Sequence, residues 1–194
     1  MVPGFPNIFS MVVAATLVLC PVTAEATVTE AGGVQFEARI VVDRWTLQKR
    51  GAGVLTYLGL IEAYAGALYT LPGVDPREVL TDTPKRLEIS YFHALEGADF
   101  AAATTKGVRR RVSEAVFARL HARLDRLNRL YRDVSPGDRY AMTYTPGNGT
   151  ELSLNGRALG SIPGADFAAV IFGLWLGDTP FDKRFKAALL GGAD

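Results

Sequence analysis

The chain has 194 residues, 48% of them hydrophobic and 21% charged, which suits one domain with a full-sized core and excludes a disordered chain. Lys and Arg number 21 against 20 Asp and Glu, so no electrostatic excess points to nucleic acid as a partner. One cysteine and two histidines leave no basis for a disulfide framework, a thiolate metal site or a histidine metal cluster, and no cofactor motif is present.

The first 24 residues contain no Lys, Arg, Asp or Glu. Ile8 to Cys20 is an apolar run broken only by Ser10 and Thr16. At ~1.5 Å per residue this run falls short of a ~30 Å hydrocarbon core but suits the apolar region of a signal peptide. Val22-Thr23-Ala24 supplies small residues for cleavage. Residues 1–24 are therefore expected to be a signal peptide, and the mature domain periplasmic or secreted. Leu19, where a lipoprotein signal wants a small residue, argues against lipid attachment at Cys20. Without Cys20 the mature chain has no thiol.

Residues 25–33 read as a flexible lead, and 34–194 as the domain. Val34 to Trp45 alternates apolar and polar residues, the period of a half-buried strand. Thr46 to Thr70 is rich in glycine and tyrosine and predicts two twisted strands in a hairpin, because glycines weaken a helix interior. Asp75-Pro76 opens a short helical turn. Lys85 to Phe92 alternates again and predicts a strand. Glu96 to Arg132 predicts helix, with Phe117, Leu120, Leu124, Leu127 and Tyr131 on one face. Strands are expected at Arg139–Thr145, Thr150–Leu154 and Arg157–Ile162, with Asn155-Gly156 as a tight hairpin turn. Helices are expected at Ala165–Leu176 and Pro180–Leu190. Hairpin strands with clustered helices define an α+β fold with a mainly antiparallel sheet.

Three features bear on function. Tyr57, Tyr64 and Tyr69 sit among Gly and Ala, a mixture that fits either an apolar ligand cleft with hydroxyls or an ordinary packed sheet. Arg119, Arg123 and Arg126 share a helix face. That face reads as a solvated surface or as a contact for a peripheral membrane or an acidic partner. No serine has a nucleophile-elbow context, and Gly51-Ala52-Gly53 lacks the strand-to-helix setting of a dinucleotide loop.

The segment from Leu152 to Gly191 resembles the C-terminal signature of the chalcone isomerase-like family, in its bacterial exported branch. The resemblance rests on Asn155-Gly156, Gly160, Ile162, Phe167, Phe172, Trp175-Leu176-Gly177, Pro180 and Leu189-Leu190-Gly191. Gly51-Ala52-Gly53, Ala67-Leu68-Tyr69, Pro84 to Glu88, Gly137-Asp138 and Tyr144 to Gly147 extend it over about residues 34 to 191. It implies an open-faced sandwich, a large antiparallel β-sheet covered by a layer of helices, with a ligand cleft between them. It also implies either chalcone cyclisation or fatty-acid binding. Cyclising members need an arginine after the Gly-Ala-Gly loop to steady developing negative charge. The matching position here is Leu55, and the family's tyrosine, asparagine and threonine fall at Phe100, Gly107 and Leu174.

These departures point to no catalytic residues. The expected role is non-catalytic binding of a small apolar or amphipathic ligand such as a fatty acid. Tyr57, Tyr64, Tyr69 and Trp175 are the candidate cleft residues, and Arg50 is the candidate carboxylate partner. The alternatives are an isomerase or intramolecular lyase on another substrate, and an interaction module built on the Arg-rich helix.

Overall fold

The computed structural model describes Met1, residues 28–57 and residues 60–192, with Tyr57 described by its backbone alone. The expected signal peptide beyond Met1, and Cys20 with it, lies outside the described residues. Two short strands come first, β1 (Thr29–Ala31) and β2 (Val34–Phe36), paired antiparallel to each other. A seven-stranded sheet follows: β3 (Arg39–Val42), β4 (Trp45–Tyr57), β5 (Ile61–Thr70), β6 (Lys85–Tyr91), β7 (Arg139–Thr145), β8 (Gly149–Leu154) and β9 (Arg157–Ile162). Each strand pairs antiparallel with the next in sequence. Helices α1 (Gly97–Arg109) and α2 (Glu114–Asn128) are inserted between β6 and β7, and α3 (Ala165–Leu176) and α4 (Lys183–Leu189) follow β9. This is the α+β fold with a helix-covered antiparallel sheet that the sequence led us to expect.

Two expectations need correction. The described part of the lead, 28–33, is not loose, because Gly32 and Gly33 at positive φ turn β1 back onto β2. The folded domain therefore begins before Val34. The single strand expected from Val34 to Trp45 is three pieces. A break at Glu37-Ala38 ends β2, and a tight turn at Asp43-Arg44, with Asp43 at φ 51, separates β3 from β4.

The main core lies between sheet and helices. Strand parity delivers Leu68 from β5, Leu87 and Ile89 from β6, and Met142 and Tyr144 from β7 to the same face. The helices answer with Leu120, Leu124 and Leu127 from α2 and Ile171 and Phe172 from α3. A smaller cluster of Phe36, Leu47, Ala65, Ala67 and Tyr69 forms the opposite face, joined by Ala31 and Val34 of the first hairpin. Asn155 (φ 50) and Gly156 (φ 79) make the tight turn between β8 and β9, as their sequence predicts.

The glycines of β4 and β5 are not open space beside a sheet. A Cβ at Gly51 would stand 2.1 Å from the Ala188 carbonyl oxygen, and one at Gly66 would stand 2.7 Å from the Phe185 ring. They let α4 lie directly on the sheet. The cavity lies at the other, N-terminal end of α4, whose cap Asp182 lines it.

Candidate ligand-binding cavity

Between the sheet and α1 and α3 lies a cavity of about 640 Å³, the size range of small-molecule sites. Its floor is the helix-facing side of the sheet: Leu55 from β4, Tyr64 from β5, Leu87, Ile89 and Tyr91 from β6, Tyr140 and Met142 from β7, and Leu152 from β8. Phe100 and Thr104 come from α1, Tyr131 from the chain after α2, and Trp175 from α3. The exposed lining residues are Leu95, Asp99, Ala103 and Phe181, which mark where the cavity meets solvent.

The aromatic groups form a continuous wall. Tyr91 packs edge-on against Tyr64 (5.7 Å between centroids), Phe100 (5.1 Å) and Tyr140 (6.0 Å). Phe100 also meets Tyr131 at 5.5 Å and Tyr140 at 5.4 Å. Hydrogen bonds fix several of these rings. Trp175 Nε1 donates to Tyr64 Oη at 3.1 Å, and the Thr104 and Tyr131 hydroxyls bond at 3.0 Å. Tyr140 Oη accepts from the Arg132 backbone N–H at 2.7 Å and donates to the Arg132 carbonyl at 2.9 Å. The Tyr91 hydroxyl has no such bond among the described residues and lies in the cavity wall.

Burial fixes the charge state of these phenols. Desolvation raises Tyr91 well above the usual tyrosine range, and the neighbouring Tyr64, Tyr131 and Tyr140 add to the effect. Desolvation also raises Tyr64, against the Trp175 hydrogen bond, and pushes Tyr131 up to about 12 against the Thr104 bond. Neutral phenols donate hydrogen bonds but do not act as bases near neutral pH. Among the described residues, the charged lining groups are Asp99 and Asp182, and Asp182 accepts the Phe185 backbone N–H at 2.7 Å as the cap of α4. Among the described residues, the lining contains no Arg, Lys or His.

The structure brings together two of the five site residues expected from sequence, Tyr64 and Trp175. Tyr69 is five positions from Tyr64 on β5 and therefore points to the opposite face, where its ring is fully buried in the smaller cluster. Arg50 sits at a bulge in β4, and its guanidinium donates to the carbonyls of Val74 and Leu190. It does not line the cavity. Tyr57 ends β4 opposite Ile61, and its side chain is outside the described residues.

Sequence reasoning missed Tyr91, Tyr131 and Tyr140 as site residues. Strand parity carried a signal for two of them, since Tyr91 shares a face with Leu87 and Ile89, and Tyr140 with Met142. Of the positions matched to catalytic residues, Leu55 and Phe100 do line the cavity, whereas Leu174 and Gly107 are buried against each other, Leu174 Cδ2 standing 2.9 Å from where a Gly107 Cβ would be. On the Arg-rich helix, Arg123 makes a bidentate pair with Asp166 (2.7 and 2.7 Å), and Arg119 lies 4.0 Å from the same carboxylate. That surface is partly neutralised from α3.

A meandering antiparallel sheet with a helix layer and a cavity between them is the architecture of the chalcone isomerase fold. The sequence matches the chalcone isomerase-like family over residues 28–191, and the chain belongs to that family. A solved Arabidopsis thaliana structure, titled a fatty-acid binding protein, superposes with a TM-score of 0.64 at 19% identity, covering 82% of this chain and 92% of that one. No curated protein sequence matches the chain.

Proposed function

We propose that this chain binds a small apolar or amphipathic molecule, of the size and character of a fatty acid, in the sheet–helix cavity, and that it does not isomerise chalcones. One observation carries the reading: a roughly 640 Å³ cavity lined by Leu, Ile, Met and aromatic side chains, with Leu55 and Phe100 where the resemblance implies the catalytic Arg and Tyr. Apolar walls reward each buried methylene with about 0.8 kcal/mol. Among its described residues the wall lacks the guanidinium that the resemblance implies for steadying a developing enolate. The structural likeness to a protein titled a fatty-acid binding protein supports the same reading.

Trp175 is one of only two tryptophans and lines the cavity, so it reports on occupancy. Saturated chains of increasing length, titrated into the protein, are expected to change its emission with an affinity that rises per methylene. Trp175→Phe should remove the signal. A flat response across the series would sink the proposal.

We extend the proposal to location. The apolar run Ile8–Cys20 and the small residues after it support export, to a periplasmic or secreted destination. The intact mass of the protein recovered from its native compartment checks this: loss of about the first 24 residues is expected, and an uncleaved chain in the cytoplasm would overturn it.

A further inference from the structure

Among the described residues the cavity has no cation in its lining, but a basic recess adjoins it. This second hollow, of about 470 Å³, is lined by Lys106, Gly107, Arg110, Arg111, Thr179 and Pro180, and it shares Ala103 and Phe181 with the cavity. Among the described residues, no carboxylate lines it. Lys106 and Arg110 are exposed side chains of α1 and the residue that ends it. Arg111 is held in place: its Nη1 donates to the Gly107 carbonyl at 2.9 Å, its Nε donates to the Thr179 carbonyl, and its guanidinium lies 4.8 Å from the centre of the Phe181 ring. Phe181 in turn packs edge-on against Trp175 at 5.6 Å and is 42% exposed. It stands as a ridge with the apolar cavity on one side and the cations on the other.

Helix geometry lines up the path between them. Asp99, Ala103, Lys106 and Arg110 follow one another along α1 at intervals of four, three and four, which places them on one face. The carboxylate of Asp99 stands at the cavity, the small Ala103 at the threshold, and the cations beyond it. An anionic group leaving the cavity is repelled at the Asp99 end and attracted at the Lys106 and Arg110 end. The last turn of α1 is closely backed, because a Cβ on Gly107 would meet Leu174 and Phe181 at 2.9 Å.

We propose that the ligand is an amphipathic anion whose chain fills the cavity and whose carboxylate or phosphate head rests outside it, on Lys106, Arg110 and Arg111. The chain crosses the threshold formed by Ala103 and Phe181. This inference rests on the cavity-binding reading above. It assigns the head group to a recess in place of Arg50, which lines neither the cavity nor the recess.

The test titrates dodecanoate, dodecyl phosphate and dodecanol into the full chain and into a Lys106→Gln/Arg110→Gln variant, reading Trp175 emission. Arg111 is left intact because it joins α1 to the Thr179 loop. The wild-type chain should bind at least one of the anions about tenfold tighter than the alcohol, in line with charge-assisted hydrogen bonds. The anion that binds tighter identifies the head as carboxylate or phosphate. In the variant the anions should lose most of their advantage over the alcohol while the alcohol is unchanged, which also shows that the variant is folded. Equal binding of alcohol and anions by the wild-type chain would overturn the proposal, as would an equal loss for all three ligands in the variant. Failure of all three to bind the wild-type chain would instead overturn the cavity reading itself.

Discussion

The guanidinium of Arg50 donates to Val74 and Leu190, two carbonyls far apart in the chain, from the one residue of β4 that the bulge leaves without a partner on β5. It ties the loop after β5 to the end of α4. Arg50→Ala should therefore cost stability, about 1–3 kcal/mol for the lost bonds and the carbonyls left behind, while chain-ligand affinity stays unchanged. Thermal melting and the Trp175 titration on one preparation decide it; unchanged melting with weakened binding would return Arg50 to the site. At this scale the sequence was readable where parity alone decides. Tyr64 and Tyr69, an odd number of positions apart on one strand, had to face opposite sides, so the two could not share the one cleft expected for both. Arg50 was not readable in that way, because a bulge shifts the alternation and only the folded chain shows which carbonyls come within reach.

Among the elements, the strongest local signals gave the closest agreement. The Asn155-Gly156 turn and the alternating strands at Lys85–Tyr91 and Arg139–Thr145 fold as their patterns predict, and the apolar stripe from Phe117 to Leu127 is the buried face of α2. The β1–β2 hairpin was missed although Gly32-Gly33 is a known hairpin turn, because strands of three residues carry almost no periodicity. The tie between α2 and α3 was also hidden, since Arg123 and Asp166 are brought together only by the return of the chain through β7 to β9. Their pairing makes a pH prediction. The Arg123 guanidinium holds the Asp166 carboxyl at about 2, below its ordinary 3.8. A carboxylate with a lowered folded pKa stabilises the fold above its unfolded pKa, and that stability is lost as pH falls from about 4 toward 2. Both side chains are partly exposed (25% and 46%), so the contribution should stay under about 1 kcal/mol. Arg123→Gln should be less stable than the wild-type chain at pH 7 by that amount, with the difference shrinking to nothing near pH 2. Chemical denaturation at the two pH values measures it, and a gap that persists at pH 2 would mean that Arg123 acts through packing on Phe167 (5.7 Å to the ring centre).

For the molecule as a whole, the cavity exists because the helix layer does not press evenly on the sheet. α4 lies directly on β4 and β5, where glycines admit it, and α2 packs on β9. α1 packs mainly on α2 and α3, and it reaches the sheet at Phe100, whose ring meets Tyr91 and Tyr140. The empty volume thus lies beneath the helix that also carries the proposed threshold and head-group residues. Local opening follows missing apolar support, so in the free protein the amides of α1 should exchange faster than those of β6 or of α4. A ligand filling the cavity supplies the missing contacts and stabilises the whole fold by RT ln(1 + [L]/Kd), about 2.7 kcal/mol at a hundredfold excess over Kd. The same binding should slow exchange most strongly in α1, by more than about tenfold, because there it adds apolar packing beneath the helix. Hydrogen exchange with and without dodecanoate reads both effects at once. Protection concentrated in α2 and β9, with α1 unchanged, would place the ligand elsewhere and leave the cavity a packing gap.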